Sequence, residues 1–234
     1  MLGPDDRAAL TELAPVLRRA VTLDPASLAR LRLGTGAATV LVRLPFGVLV
    51  SRRVGGVPRT DKLDVTVRAA EMIAWLDAGG AAASEGASRA GGGAGRQSAE
   101  VAVPQARDAE WRTGLPPTGG WQRIETVPDE VIRGIVRAGA LVLKEAAARE
   151  RVPTAQPRAE VADALLDSTV LTVAADDGPA TAAVNLRTLS ALLRMGFLPR
   201  GGSVHVDLAG RWVRVVAEFG TVYLERPGQS LLVR

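Results

Sequence analysis

Between Val184 and the C-terminal Arg234, the spacing of apolar residues changes from a helical to an extended period at one point. In VNLRTLSALLRMGFLPRGGSVHVDLAGRWVRVVAEFGTVYLERPG, Leu186, Leu189, Leu192 and Leu193 recur at steps of three and four. After Arg200-Gly201-Gly202, apolar and polar residues alternate strictly, a pattern that only an extended strand sorts onto two faces. The pattern predicts a helix capped by Asn185 and ended by Gly196, then three strands near 203–208, 211–217 and 221–226 with turns at Ala209-Gly210 and Phe219-Gly220. One strand face collects Val204, Val206, Leu208, Val213, Val215, Val222 and Leu224 and is expected to be buried. The other collects His205, Asp207, Trp212, Arg214, Tyr223 and Glu225.

Earlier segments carry the same two periods. Asp5 and Asp6 can cap a helix to about Arg19, bent by Pro15, and Asp24-Pro25 reads as the start of a second, short helix through Leu28 and Leu31. Residues 38–44 and 48–53, rich in β-branched side chains and joined by Pro45-Phe46-Gly47, read as a hairpin. Asp64 or Thr66 then caps a helix that ends at Gly79-Gly80. The Ala/Gly/Ser-rich run 81–108 has too few apolar groups to offset its ordering entropy, so it reads as a flexible linker between an N-terminal unit 1–80 and a C-terminal unit 109–234.

Pro128 opens a long helix to about residue 150, with acidic residues in its first turn and Lys144 and Arg149 toward its end, as the helix dipole favours. Its apolar stripe, Ile132, Ile135, Val136, Gly139 and Val142 among others, marks it as the core helix that backs the C-terminal sheet. Gly134 and Gly139 imply that something packs close against it. A short helix 159–167 and strands 169–174 and 180–184 follow, with a turn at Asp176-Asp177-Gly178. The fold class expected is α+β: antiparallel hairpins and a meander packed on helices, possible as two similar ααββα halves. Val65-Thr66-Val67-Arg68 aligns with Val184-Asn185-Leu186-Arg187 in that reading.

Composition narrows the chemistry. With 47% apolar but 3% aromatic residues, the core must be built from Val, Leu and Ala. Of 29 basic residues only Lys62 and Lys144 are lysine, an arginine bias of the kind that G+C-rich coding produces, and the net charge is only +4. The absence of cysteine excludes disulfides, thiolate metal sites and cysteine nucleophiles, and His205 is the single histidine. MLGPDDRAAL has no signal-peptide pattern and no apolar run reaches the roughly 18–20 residues of a membrane helix, so a soluble cytoplasmic protein is expected. The glycine run 91–95 lacks the ending of a phosphate-binding loop. The segments KEAAARERVP and RAEVADALLD resemble a helix-turn-helix weakly, but Pro153 and Pro157 make the turn too long and the second helix lacks base-reading side chains.

Two candidate sites remain. The first is the polar strand face, His205, Asp207, Trp212, Arg214, Tyr223 and Glu225, where aromatic rings and Arg214 can hold a ligand, although a solvated face carries such cross-strand pairs anyway. The second is the loop WRTGLPPTGGW, in which Trp111, Leu115, Pro116, Pro117 and Trp121 offer a rigid aromatic anchor to a partner protein, or seal a domain edge. No catalytic residues, metal ligands or cofactor fingerprint emerge. The function expected is therefore a non-catalytic cytoplasmic interaction or regulatory protein with a protein partner. Nucleic-acid binding through arginines is the first alternative, and an enzyme using His205 and acidic residues on the C-terminal sheet the second.

Overall fold

The structure, a computed structural model, describes residues 4–58, 61–88, 102–149, 155–175 and 178–226. It divides into two compact units, Met1–Gly47 with Ser51–Gly114, and Val48–Val50 with Leu115–Arg234.

The first unit begins with helices α1 (Pro4–Leu10) and α2 (Ala14–Leu23), joined by a 3-10 turn at Thr11–Leu13. Four strands follow, β1 (Leu28–Gly34), β2 (Gly36–Arg43), β3 (Leu49–Val57) and β4 (Leu63–Arg68), and then helix α3 (Ala69–Ser88). Strand order is β4-β1-β2-β3, and the pairings of β1 are antiparallel. Ala29, Leu31, Leu33, Val40 and Val42 form the buried row, together with Leu10, Leu13 and Leu17 from the first helices and Met72 and Trp75 from α3. The guanidinium of Arg7 lies 4.5 Å from the centre of the Trp75 ring and so closes the helix layer with a cation-π contact. The free edge of β4 is covered by the segment before Trp111: Arg107 N–H donates to the Thr66 carbonyl (2.8 Å), and the Thr66 N–H donates to the Asp108 carboxylate (2.7 Å).

The second unit has the order β5 (Gln122–Pro128), α4 (Asp129–Arg149), α5 (Ala155–Asp167), β6 (Thr169–Ala174), β7 (Thr181–Asn185), α6 (Leu186–Arg194), β8 (Ser203–Ala209), β9 (Trp212–Ala217) and β10 (Gly220–Glu225). Its larger sheet runs β10-β9-β8-β5, and β6 and β7 form a separate pair. Helix α6 packs on β9 and β10, buries Leu186, Leu189 and Leu192, and is capped by Asn185, whose side chain accepts from the Thr188 N–H at 2.9 Å. At the start of α4, Arg133 donates to the Asp129 carboxylate (2.9 Å) and to the Leu198 carbonyl (2.7 Å). The hydrogen bond from Arg133, with backbone N–H groups in support, holds the Asp129 carboxyl below the usual carboxylate range.

The α+β class and the whole C-terminal meander agree with the sequence, but four expectations need correction. Residues 28–34 form a strand, because Ala29, Leu31 and Leu33 alternate with Arg30 and Arg32, and that period of two outweighs the step from Leu28 to Leu31. Residues 63–68 are also a strand, paired with β1, so Asp64 and Thr66 do not cap α3. Helix α3 continues through Gly79-Gly80 to Ser88, since glycine weakens a helix by only about 1 kcal/mol unless the backbone turns left-handed there. The expected linker is thus helical at its start and pairs with β4 at its end, while 89–101 lie outside the described residues, as do Asp176 and Asp177. Finally, α4 is not the core helix: Val131, Leu141 and Val142 are exposed, and α6 is the helix that backs the sheet.

With four strands in the first unit, the ααββα pattern holds only in the second. A local recurrence nevertheless joins the two. The Ser27 N–H donates to Asp24 (3.0 Å) and its carbonyl accepts from Ala69 (2.9 Å), while the Ser168 N–H donates to Leu165 (3.1 Å) and its carbonyl accepts from Leu186 (3.1 Å). Each serine precedes a strand and clamps the first N–H of a later helix. This geometry sets Ala69 opposite Leu186, and therefore Val67 opposite Val184, two residues away from the sequence alignment.

A Cβ on Gly139 would lie 2.5 Å from a Leu186 methyl carbon, whereas one on Gly134 meets nothing within 4 Å. Gly134→Ala should therefore stabilise the chain by about 0.5–1 kcal/mol through helix propensity. Gly139→Ala should destabilise it by about 1 kcal/mol or more, because overpacking there outweighs the same propensity gain. Denaturant midpoints of the two variants moving in the same direction would refute this account of the α4–α6 contact.

Candidate interaction face

The register of the second unit's sheet decides which side chains share a face. Asp207 pairs with Arg214, Ala209 with Trp212 and His205 with Val216, while Tyr223 pairs with Arg214 and Glu225 with Trp212. All six residues expected on the polar face thus lie on one side, opposite Val204, Val206, Val213, Val215 and Val222, which are fully buried.

That face is layered rather than uniformly open. Asp207 is only 2% exposed and accepts from two guanidinium groups, Arg214 at 2.8 Å and Arg123 of β5 at 3.4 Å. Above this pair lies Trp121: the Arg214 guanidinium is 4.3 Å from its ring centre, and the Tyr223 ring is tilted against it at 6.0 Å. The indole N–H donates to the Pro117 carbonyl at 3.0 Å, tying the ring to its own loop. The order outward from the sheet is thus carboxylate, guanidinium, indole, and each member is fixed by the one below it.

The remaining residues flank this stack. His205 Nδ1 and the Thr126 hydroxyl are 3.0 Å apart. Glu225 pairs with Arg211 at 2.6 Å, and Arg226 donates to the Gly210 carbonyl, also at 2.6 Å. Trp212 is only 7% exposed and, with Leu115, Pro117 and Ala209, lines a cleft of about 430 Å³ between the loop 115–120 and the β8–β9 turn.

The two candidate sites of the sequence therefore merge in part. Trp121, Pro117 and Leu115 adjoin the polar face, and Pro116 is buried. Trp111 does not join them: it belongs to the first unit, where its indole N–H donates to the Thr113 carbonyl (2.7 Å) and Arg30 approaches its ring at 5.9 Å. Two contributors lie outside the expected face: Arg123, on strand β5, which the proline-rich loop and the cap at Pro128 hide, and Arg211, which the expected strand 211–217 includes but which stands in the β8–β9 turn. Among the described residues, no three His, Asp or Glu side chains gather as a metal site.

Comparison with solved structures gives this architecture a likeness. The DNA polymerase sliding clamp from Pseudomonas aeruginosa matches at 12% identity and a TM-score of 0.50, over 95% of this chain and 63% of that one. The beta subunit of DNA polymerase from Streptococcus pyogenes matches at 10% and 0.51, over 94% and 62%. That of DNA polymerase III from Thermotoga maritima matches at 8% and 0.50, over 98% and 66%. The fold is similar to that of the sliding clamps. The chain spans 62–66% of the length of these three proteins. Residues 1–92 match the family model described as Domain of unknown function (DUF8010), and residues 116–229 that described as Domain of unknown function (DUF8185). No curated protein matches the chain.

The buried position of Asp207 separates a structural role from a chemical one. Asp207→Ala leaves Arg214 without its carboxylate and should cost about 3 kcal/mol, whereas His205→Ala, which loses one half-exposed contact, should change stability by less than about 1 kcal/mol. Urea titration reads both, and a neutral Asp207→Ala would mean that the Asp207–Arg214–Trp121 order is not what fixes this face.

Proposed function

We propose that the chain is a non-catalytic interaction protein whose partner docks on the second unit, over the cleft between the loop 115–120 and the β8–β9 turn. The observation that carries this reading is the pairing of an apolar floor with a fixed aromatic and a basic rim. Leu115, Pro117 and Trp212 supply the floor, Trp121 is held from beneath by Arg214, Arg211 stands 64% exposed at the rim, and Arg123, 56% exposed, pairs with Asp207 on the same sheet face. Preorganised rings lose little entropy on docking, and arginine is favoured in contacts of this kind. Such a surface suits a protein segment that presents an apolar side chain beside acidic ones. Proteins named as sliding clamps share the fold, and among the described residues no helix is long and apolar enough to cross a membrane.

A photo-reactive residue at Leu115, introduced in cells that make the protein, should capture a partner that the same residue at Arg137 does not. Arg211→Glu should lower that capture about tenfold or more, the effect of about 1.4 kcal/mol at the rim. Equal labelling at the two positions, or no response to the charge reversal, would sink the reading.

Nucleic-acid binding is a second reading, favoured by the arginines on the outer side of the first unit's sheet, Arg30, Arg32 and Arg53 among them, and by the polymerase association in the clamps' names. It predicts that affinity for random duplex DNA falls steeply with salt, with a log–log slope of about −0.9 per phosphate contacted. Absence of binding at low salt would eliminate it.

A further inference from the structure

We propose that a cleft on the outer face of the first unit's sheet binds a phosphate group, either inorganic phosphate or the phosphate of a small phosphorylated molecule. This site is separate from the docking face proposed for the second unit and does not depend on it. The cleft holds about 380 Å³, within the range of small-molecule sites, and lies against β1, β2, β3 and the start of β4. Arg32, Arg53 and Lys62 line it, with Thr35 and Thr39 as hydroxyl donors and Asp64 as its one acidic group.

Charge balance supplies the argument. Arg30, on the same face of β1, takes the Asp64 carboxylate in a two-point contact, with Nε at 2.7 Å from one oxygen and a terminal nitrogen at 3.1 Å from the other. That hydrogen bond raises the pKa of Arg30, and the two-point contact sets one positive charge against one negative charge. Arg32 reaches Asp64 only at 3.5 Å, beyond a good hydrogen bond, and its two terminal nitrogens are left for another acceptor. Among the described residues Arg53 and Lys62 have no ion-pair partner. Three cations in one concavity, with the single carboxylate already engaged by a fourth, leave a local excess of positive charge in a molecule whose net charge is only +4.

The geometry favours a compact anion over a strand of nucleic acid. The register places Arg32 opposite both Thr39 and Asp64, and the Thr35-Gly36 turn lies beside it, so donors surround one space rather than following a line. Two guanidinium forks, an ammonium and two hydroxyls suit the three oxygens of a terminal phosphate. A carboxylate offers only two oxygens to the same donors.

Calorimetric titration of the whole chain with inorganic phosphate and with ATP, in chloride buffers of matched ionic strength, tests this. Saturable one-to-one binding is expected. Arg53→Gln and Lys62→Gln should each weaken it about tenfold, the effect of losing one charge-assisted contact, and Arg137→Gln in the other unit should leave it unchanged. Binding of phosphate as well as ATP assigns the site to the phosphate group, and binding of ATP alone assigns it to a nucleotide phosphate; either supports the proposal. Arg53 is exposed, so its variant should keep the wild-type denaturant midpoint, which separates lost binding from lost folding. The proposal is overturned by no saturable binding of either ligand, by equal weakening in Arg137→Gln, or by binding that appears only with oligonucleotides.

Discussion

Helix α6 is the constraint around which the second unit is arranged. With Leu186, Leu189 and Leu192 no more than 1% exposed, this nine-residue helix is apolar on the side toward β9 and β10 and on the side toward α4. A helix so short has little stability alone, and it is held at both ends. The Asn185 cap and the Ser168 carbonyl fix its first turn, and Phe197, just beyond its end, packs so closely on Gly220 that a Cβ there would lie 2.6 Å from the ring. Helix α4 can then cross only where Gly139 admits the Leu186 side chain. The meander, its backing helix and the outer helix are therefore positioned by the same few residues.

The polar face inherits its rigidity from that core. Val206 and Val215 are paired and fully buried, which holds Asp207 and Arg214 one residue on in register on the other side. A carboxylate that is 2% exposed is costly unless paired, and once Arg214 is committed to it, the guanidinium plane becomes a platform for Trp121. What reaches solvent is an aromatic ring whose orientation is set two layers down. The same arrangement explains why Asp207 is a poor candidate for a free catalytic acid.

The parts of this fold that were legible in the sequence are those whose neighbours in space are also neighbours along the chain. Residues 186–225 could be read almost to the residue, because helix, turns and hairpins report directly as periods of 3.6 and 2. The first unit was harder because β1 pairs with β4, 35 residues away, and leucines at 28, 31 and 33 satisfy both periods. A helix over these residues gives Arg30 and Arg32 no common face, so the basic cleft follows only from the strand. Strand β5 was hidden for a related reason: it is an edge strand ending in proline, tolerated there because an edge needs only one row of hydrogen bonds. For α4, the periodicity correctly gave an amphipathic helix, but a stripe cannot say how deeply it is buried.

The arginine bias is a property of composition, yet individual arginines are used differently. In the second unit, Arg214, Arg123, Arg211, Arg133 and Arg187 each answer a carboxylate, while Arg137 and Arg200 stand exposed without an ion-pair partner among the described residues. In the first, Arg68 and Arg107 converge on Glu110 and Arg30 takes Asp64, which leaves Arg32 loosely held and Arg53 and Lys62 without an ion-pair partner among the described residues. What sets Arg32, Arg53 and Lys62 apart from other cations of the chain is that they line one concavity together with two threonine hydroxyls. Such convergence, which no count of arginines reveals, is what separates a site from a solvated basic surface.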